Sequence, residues 1–379
     1  MARSLDALPA NPGRILLRTD YNVPVSDREI TDDYRIKVSL PTIRELEGIG
    51  ADQIIITAHR GRPDGHDPEL STDIIADHLS DLLGEDMYHA DYPIPKPSDL
   101  PGPEEHNIIL LENIRYIDGE TDNSDSVAQR LANLADAYVN DAFGAAHRQH
   151  SSTHAVQRYL PSYKRRQMEA EESIGKKIRD HDNTAFILGG AKLSTKLDLI
   201  EALHENASTI HLGGTMFLPF LAAQNQRTGK TSVDNNHVET AQTMLSYPNV
   251  ALPDSVKTTD DLDDPSAVET HPSNSIPPEQ CVGDISADEA DAILTSVQRS
   301  DLIVWNGPLG YYETEAFREA TKTVMHGLTD VDADVIIGGG DTGAIISEAG
   351  LQDEFYHVSS GGGAFLTLLK QGSLPVFDD

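Results

Sequence analysis

Apolar runs of strand length recur along this chain, and stretches with helical spacing separate many of them. The runs are Ile15-Leu17, Ile54-Thr57, Ile108-Leu111, Ala137-Asn140, Ala185-Leu188, Thr209-Leu212, Val250-Leu252, Leu302-Trp305, Val335-Ile337 and Phe355-Val358. Ile36, Leu40, Ile43 and Leu46 fall on one helical face. So do Val127, Leu131 and Leu134, and again Leu193, Leu197 and Ile200. Strands that alternate with helices predict an α/β protein with largely parallel sheets. The 379 residues suggest about two domains at roughly 150 residues each. The expected architecture is two doubly wound parallel-sheet lobes, residues 1–160 and 161–354, joined by a hinge helix. Pro161 follows a polar stretch, and Tyr163 to Arg179 reads as a charged, mostly exposed helix suited to that connection. Segment 254–280 is rich in Asp, Pro and Ser, and reads as an irregular surface excursion.

Charge narrows the partners. Lys and Arg number 29 against 62 Asp and Glu, a formal net charge of −33. Such a chain repels nucleic acid, and its own charges oppose a compact state in dilute buffer. At ~1 M salt the Debye length is only ~3 Å, so most of that repulsion disappears. The composition therefore predicts a protein of a salt-rich, halophilic cytoplasm. No apolar run approaches the ~20 residues of a membrane span, so no membrane partner is expected. The first residues carry no hydrophobic signal core, and the single Cys281 excludes an internal disulfide. Both point to a reducing, cytoplasmic setting.

Ligands of open parallel sheets bind beyond the carboxyl ends of the strands. In the first half these positions carry Arg18-Thr-Asp20-Tyr-Asn22, His59-Arg60-Gly61-Arg62, Glu112-Asn113-Ile-Arg115 and Asn140-Asp141 through His147-Arg148. Arginine holds phosphate and carboxylate through paired hydrogen bonds. One arginine is accounted for by pairing with a local aspartate; four successive strand ends are not. The second half carries Gly189-Gly190-Ala-Lys192, Gly213-Gly214, Asn306-Gly307-Pro308-Leu-Gly310, Gly338-Gly339-Gly340-Asp341-Thr342 and Ser360-Gly361-Gly362-Gly363. Glycines let backbone N–H groups approach phosphate at helix starts. Lys192 and Lys196, four apart, are placed on one helical face, and Asp341 is a candidate Mg²⁺ ligand.

Other features carry less. Gly229-Lys230-Thr231 resembles the end of a P-loop, but Gln224 stands where the first glycine belongs. His147, His150 and His154 have spacings a metal site uses, yet His147 lies within the anion cluster and no Cys is near. The acidic run 260–264 reads as a solvated face. The residues by themselves describe a phosphotransferase acting on a small acid. The other class in view is a non-catalytic, two-lobed phosphometabolite-binding protein, which needs the arginines but not Lys192 and Asp341 together.

The ordered set of motifs resembles the phosphoglycerate kinase family over essentially the whole chain. It comprises Leu17-Arg-Thr-Asp-Tyr-Asn-Val-Pro24, Leu111-Glu-Asn-Ile-Arg115, Val139 through Arg148, Leu188-Gly-Gly-Ala-Lys192, Trp305-Asn-Gly-Pro-Leu-Gly310, Gly338-Gly-Gly-Asp-Thr342 and Ser360-Gly-Gly-Gly363. The resemblance implies reversible transfer of the ATP γ-phosphoryl group to the carboxylate of 3-phosphoglycerate, with ATP/ADP and Mg²⁺ as cofactors and a monomeric enzyme. It implies that Asp20 and Asn22 hold the glycerate, and that His59, Arg62, Arg115 and Arg148 hold its 3-phosphate. Arg35 and Lys192 would attend the transferring group. Lys196, Asn306, Gly339, Gly340, Thr342, Gly361 and Gly362 would face nucleotide phosphates, with Asp341 on Mg²⁺, Glu313 on the ribose, and Gly213 and Gly214 against adenine. It also returns the tail, residues 355–379, to the first lobe. Departures are Ser360 where threonine is commoner, Gly363-Ala-Phe365-Leu-Thr367 in place of GASLE, Pro219 and Tyr311-Tyr312.

Overall fold

A computed structural model describes residues 2–191, 196–233, 235–359 and 361–377. The contacts divide the chain into two compact units, residues 1–174 with 373–379, and residues 175–372. The division falls inside the helix Arg166–Arg179.

The first unit is built on a seven-stranded, all-parallel sheet. Its order is Arg3–Ser4, Ser162–Lys164, Ala137–Asn140, Arg14–Arg18, Gln53–Thr57, Ile108–Leu111, Tyr88–Ala90. Side chains alternate across it, because successive strand residues point to opposite faces. Ile15, Leu17, Ile54 and Ile56 belong to one core, together with Ile36, Ile43 and Leu46 of the helix Tyr34–Gly48. Leu16, Ile55, Ile109 and Tyr138 belong to another, under Val127 and Leu131 of the helix Asp125–Ala132. A sheet covered on both faces explains why the strands read as unbroken apolar runs. Strand order reverses beside Arg14–Arg18: the chain moves outward to one side and returns at Ala137–Asn140 on the other.

The second unit repeats the plan with six parallel strands, ordered Val250–Ala251, Ala207–Leu212, Thr184–Leu188, Leu302–Asn306, Asp334–Gly338, His357–Val358. Ala185, Ile187, Ile303, Trp305 and Ile337 pack in one core. The order reverses between Thr184–Leu188 and Leu302–Asn306, which lie side by side.

Two expectations need correction. Segment 254–280 is not irregular: Ser255–Thr259 pairs antiparallel with Glu269–Pro272 and Cys281–Ile285. Only Val256, Thr258 and Thr259 of the first strand are buried, so its polar outer residues and the Asp-rich loop after it mask the alternation. The acidic run 260–264 is largely exposed, yet it also accepts hydrogen bonds from the Tyr311 hydroxyl to Asp263 (2.7 Å) and from Thr314 to the Leu262 carbonyl (2.7 Å). The run from Tyr163 begins as strand, and its helix starts only at Arg166. That helix buries Met168, Glu171, Ile174 and Ile178, so one face is core and not solvent.

Candidate active site

In the first unit four strands with apolar interiors turn polar at or just beyond their carboxyl ends. Arg18, last residue of the central strand, is 1% exposed. It donates from Nε to Ser152 Oγ (2.9 Å), from Nη1 to the Thr19 carbonyl and from Nη2 to His59 Nδ1 (3.2 Å). Asn113 fixes the loop beyond the next strand: its amide accepts from Arg60 N (3.2 Å) and donates to the Arg60 and Leu70 carbonyls. Arg115 Nη1 donates to the Gly61 carbonyl (2.6 Å), and Gly61 N donates to Asn22 Oδ1 (2.8 Å). Arg35 Nη1 reaches both Asp20 Oδ2 (3.1 Å) and the Asn22 carbonyl (3.2 Å).

Hydrogen bonds therefore tie together five of the residues expected to hold substrate: Asp20, Asn22, Arg35, Arg115 and, through the 59–61 loop, His59. Arg62 and Arg148 are exposed side chains whose charge is felt by Arg115. Burial, then the charges of Arg18 and Arg115, hold His59 well below the ordinary histidine range. Burial and the same two arginines pull His150 down to about 4. Burial, then Arg18 and Arg148, lowers Arg115 to about 10. Each group is pressed toward its neutral form first by burial and then by the neighbouring arginine charges. An incoming dianion relieves that pressure.

The sequence reading named Arg18 at a strand end but gave it no role, and it weighed His150 only as a metal ligand. It missed Glu120 and Ser152 entirely. Arg18 was findable, since a basic residue closing the central apolar strand is unusual. Glu120 offers no local signal.

In the second unit a cavity of about 290 Å³ opens at the strand reversal, lined by Gly190, Ala191, Lys196, Asn306, Gly307, Pro308, Gly339, Gly340, Asp341, Thr342, Gly362 and Leu366. Lys196 is 7% exposed, and its ammonium bridges the reversal by donating to the carbonyls of Gly189 and Asn306. Burial brings it down to about 7, opposed by Asp341. Asn306 Nδ2 is buried with no partner among the described residues. Thr342 Oγ1 accepts from Gly307 N (2.8 Å). The helices Gly340–Glu348 and Gly362–Gln371 both start here. A Cβ on Gly362 would stand 3.1 Å from Gly340 N, so the two N-termini converge. Their first N–H groups lack intrahelical partners and carry partial positive charge.

Gly339 turns the chain into the first helix at φ +107°, a conformation side chains resist. Gly214 packs on Gly190, where a Cβ would lie 2.4 Å from its carbonyl oxygen. Gly213 lies against Leu309, and Gly361 directly precedes the second helix. Glu313 is exposed on a turn outside this lining, its carbonyl held by Arg318 (3.0 Å). Lys192 and Ser360 lie outside the described residues.

One unit gathers cationic side chains at its strand ends, an arrangement suited to a small anion. The other offers an ammonium, an unpaired amide, two helix N-termini and a carboxylate, which suit a phosphate chain and its cation. Together they define a phosphotransferase with a small acidic acceptor. The family model for phosphoglycerate kinase matches residues 5–372. The phosphoglycerate kinase of Gloeobacter violaceus is 37% identical over 400 residues, spanning 98% of this chain and 96% of its own. That of Thermomicrobium roseum is 37% identical over 390 residues, spanning 98% and 97%. Among solved structures, phosphoglycerate kinase from Coxiella burnetii superposes with a TM-score of 0.81 at 29% identity, covering 99% of this chain and 98% of that one. The enzyme from Pyrococcus horikoshii OT3 gives 0.88 at 27%, covering 99% and 97%. The chain belongs to the phosphoglycerate kinase family, and it is a kinase whose phosphoryl acceptor is a carboxyl group.

The Lys196 environment yields a proton count. Burial brings its pKa to about 7, so at pH 8 the amine is mostly neutral. A polyanion beside it favours the ammonium and raises that pKa. Binding of ADP at pH 8 is then expected to take up about one proton, and affinity to fall as pH rises above 7 by up to about tenfold per pH unit. Calorimetry in buffers of different ionisation enthalpy measures the uptake, which is expected to vanish in Lys196→Met.

Proposed function

We propose that the transfer runs between a 3-phosphoglycerate held in the first unit and a Mg²⁺-nucleotide held in the second. The carrying observation is the cluster of Arg18 and Arg115 around the buried, neutral His59, in which the two guanidinium charges oppose one another. In an acidic protein such a cluster is best matched by a phosphate dianion. Asp20 and Asn22 would take the glycerate hydroxyl and carboxylate region. His59, Arg62, Arg115 and Arg148 would take the 3-phosphate. Arg35, which now shares its guanidinium between Asp20 and the Asn22 carbonyl, would turn to the reacting carboxylate and the moving phosphoryl group.

The family works with ATP or ADP and Mg²⁺, and the second cavity is fitted to both. Asp341 opens the first turn of a helix and lines the cavity, so it would hold the metal. Mg²⁺ supplies charge neutralisation between the phosphates. Lys196 and the N–H groups of Gly340 and Gly362 would meet phosphate oxygens, and the unpaired Asn306 amide is a further donor. Lys192 would follow the phosphoryl group, Glu313 would take the ribose, and Gly213 and Gly214 would back the base. A carboxylate acceptor is already ionised at neutral pH, so transfer needs alignment and charge stabilisation and no general base. Exclusion of water protects the acyl phosphate.

Two variants test the division of labour. Arg35→Ala is expected to lower kcat by about 10³ or more, by analogy with arginines that stabilise phosphoryl transfer, and to leave ADP affinity nearly unchanged. Asp341→Ala is expected to do the reverse at equilibrium, weakening Mg²⁺-ADP while sparing 3-phosphoglycerate. A turnover assay reads kcat, and titration calorimetry with each ligand alone reads the affinities. Equal loss of both affinities in Asp341→Ala would make that residue structural.

The enzyme is further proposed to act as a monomer in a salt-rich cytoplasm. The net charge of −33 supports the salt requirement, and no helix among the described residues is long and apolar enough to cross a membrane. Charges on this surface repel across ~10 Å at 0.1 M salt and across only ~3 Å at 1 M. The melting temperature is expected to climb with KCl into the molar range. KM for 3-phosphoglycerate is expected to rise as well, because screening weakens the anion site. Melts and kinetics over one KCl series check both trends.

A further inference from the structure

We propose that Glu120 and Ser152 are positioning residues of the anion site, which through Arg18 hold His59 as a neutral imidazole with its proton on Nε2. This rests on the reading of that cluster as the 3-phosphate site.

The argument starts from what a guanidinium can do. It carries five N–H donors and no acceptor. Arg18 Nη2 lies 3.2 Å from His59 Nδ1. The contact is bonding only if Nδ1 offers its lone pair, which places the ring proton on Nε2. An imidazolium would set N–H against N–H, with Arg115 adding to the repulsion. His59 Nε2 has no hydrogen-bond partner among the described residues, so its N–H is available to a ligand.

Arg18 is fixed from its other side. Its Nε donates to Ser152 Oγ (2.9 Å), and that hydroxyl donates to Glu120 Oε1 (2.6 Å). Glu120 Oε2 accepts the Ser152 N–H (3.0 Å). An ionised carboxylate only accepts and a guanidinium only donates, so the hydroxyl proton must lie toward Glu120. Every proton in the relay Glu120–Ser152–Arg18–His59 is thereby placed. Arg18 and Glu120 are each 1% exposed, and Arg18 makes no direct ion pair with a carboxylate among the described residues. The hydroxyl-bridged Glu120 is its counter-charge. Without that charge, a buried guanidinium is left uncompensated and is driven toward water or the ligand site. His59 would then lose the contact that selects its tautomer. Burial pushes the Glu120 carboxyl up to about 7, so the relay is complete on the alkaline side of neutrality.

The test uses the full-length, ¹⁵N-labelled protein without ligand at pH 8. His59 is expected as the Nε2–H tautomer in long-range ¹H–¹⁵N spectra; an Nδ1–H tautomer or an imidazolium overturns the proposal, and no substitution is needed. Glu120→Gln keeps the shape and removes the charge. It is expected to raise KM for 3-phosphoglycerate about tenfold, the scale of a lost charge-assisted hydrogen bond, with kcat and the nucleotide KM nearly unchanged. It is also expected to give mixed His59 tautomers. A folded Glu120→Gln with unaltered KM and a single Nε2–H tautomer overturns the relay. Inorganic phosphate added to the wild-type protein separates the two readings. If it leaves the His59 resonances unmoved, the anion-site assignment fails while the tautomer result stands alone.

Discussion

Both halves of this molecule depend on cations buried at the carboxyl ends of parallel strands. A doubly wound sheet covers both faces of its strands, so the ends are where polar groups collect, at the place where strand order reverses. Arg18 and Lys196 sit at or beside those reversals, nearly sealed from water. Each is satisfied by carbonyls, a hydroxyl or an imidazole, and neither by a direct ion pair with a carboxylate among the described residues. Burying charge in this way costs stability. The arrangement is intelligible if anionic ligands complete it, because the carboxylates that balance these cations stand back from them: Glu120 behind the Ser152 hydroxyl, and Asp341 in the lining of the Lys196 cavity.

The two units solve the same electrostatic problem with different chemistry. The first uses guanidinium and imidazole groups, which are directional and can be ordered by a relay such as the one ending on Glu120. The second uses backbone. Its glycine turns bring two helix N-termini together in the lining of the cavity that Lys196 also lines, a geometry suited to a chain of phosphates. The surface works against both by repelling anions, and salt mediates between surface and site.

Much of this was legible in sequence because the signals were local. Unbroken apolar runs such as Ile54-Thr57 can be buried on both faces of a sheet, and the residue after each run is read directly as a strand end. Asp20, Asn22, His59 and Arg115 were found that way. The three-stranded sheet of 255–285 was hidden because its first strand buries only Val256, Thr258 and Thr259, two of them polar, and is followed by an Asp-rich loop. The strand Ser162–Lys164 was too short to register against a charged neighbour. Glu120 and Ser152 are separated by 32 positions. Neither has an unusual local context, and their role exists only once Arg18 is folded between Ser152 and His59.

The central claim is that the buried cations and the phosphate cradle serve one reaction. Formation of ADP from Mg²⁺-ATP, followed in molar KCl with and without 3-phosphoglycerate, tests it most directly. ADP release that requires 3-phosphoglycerate and saturates with it is the expected result. Tight binding of both ligands without turnover, or ATP hydrolysis indifferent to 3-phosphoglycerate, would contradict the account.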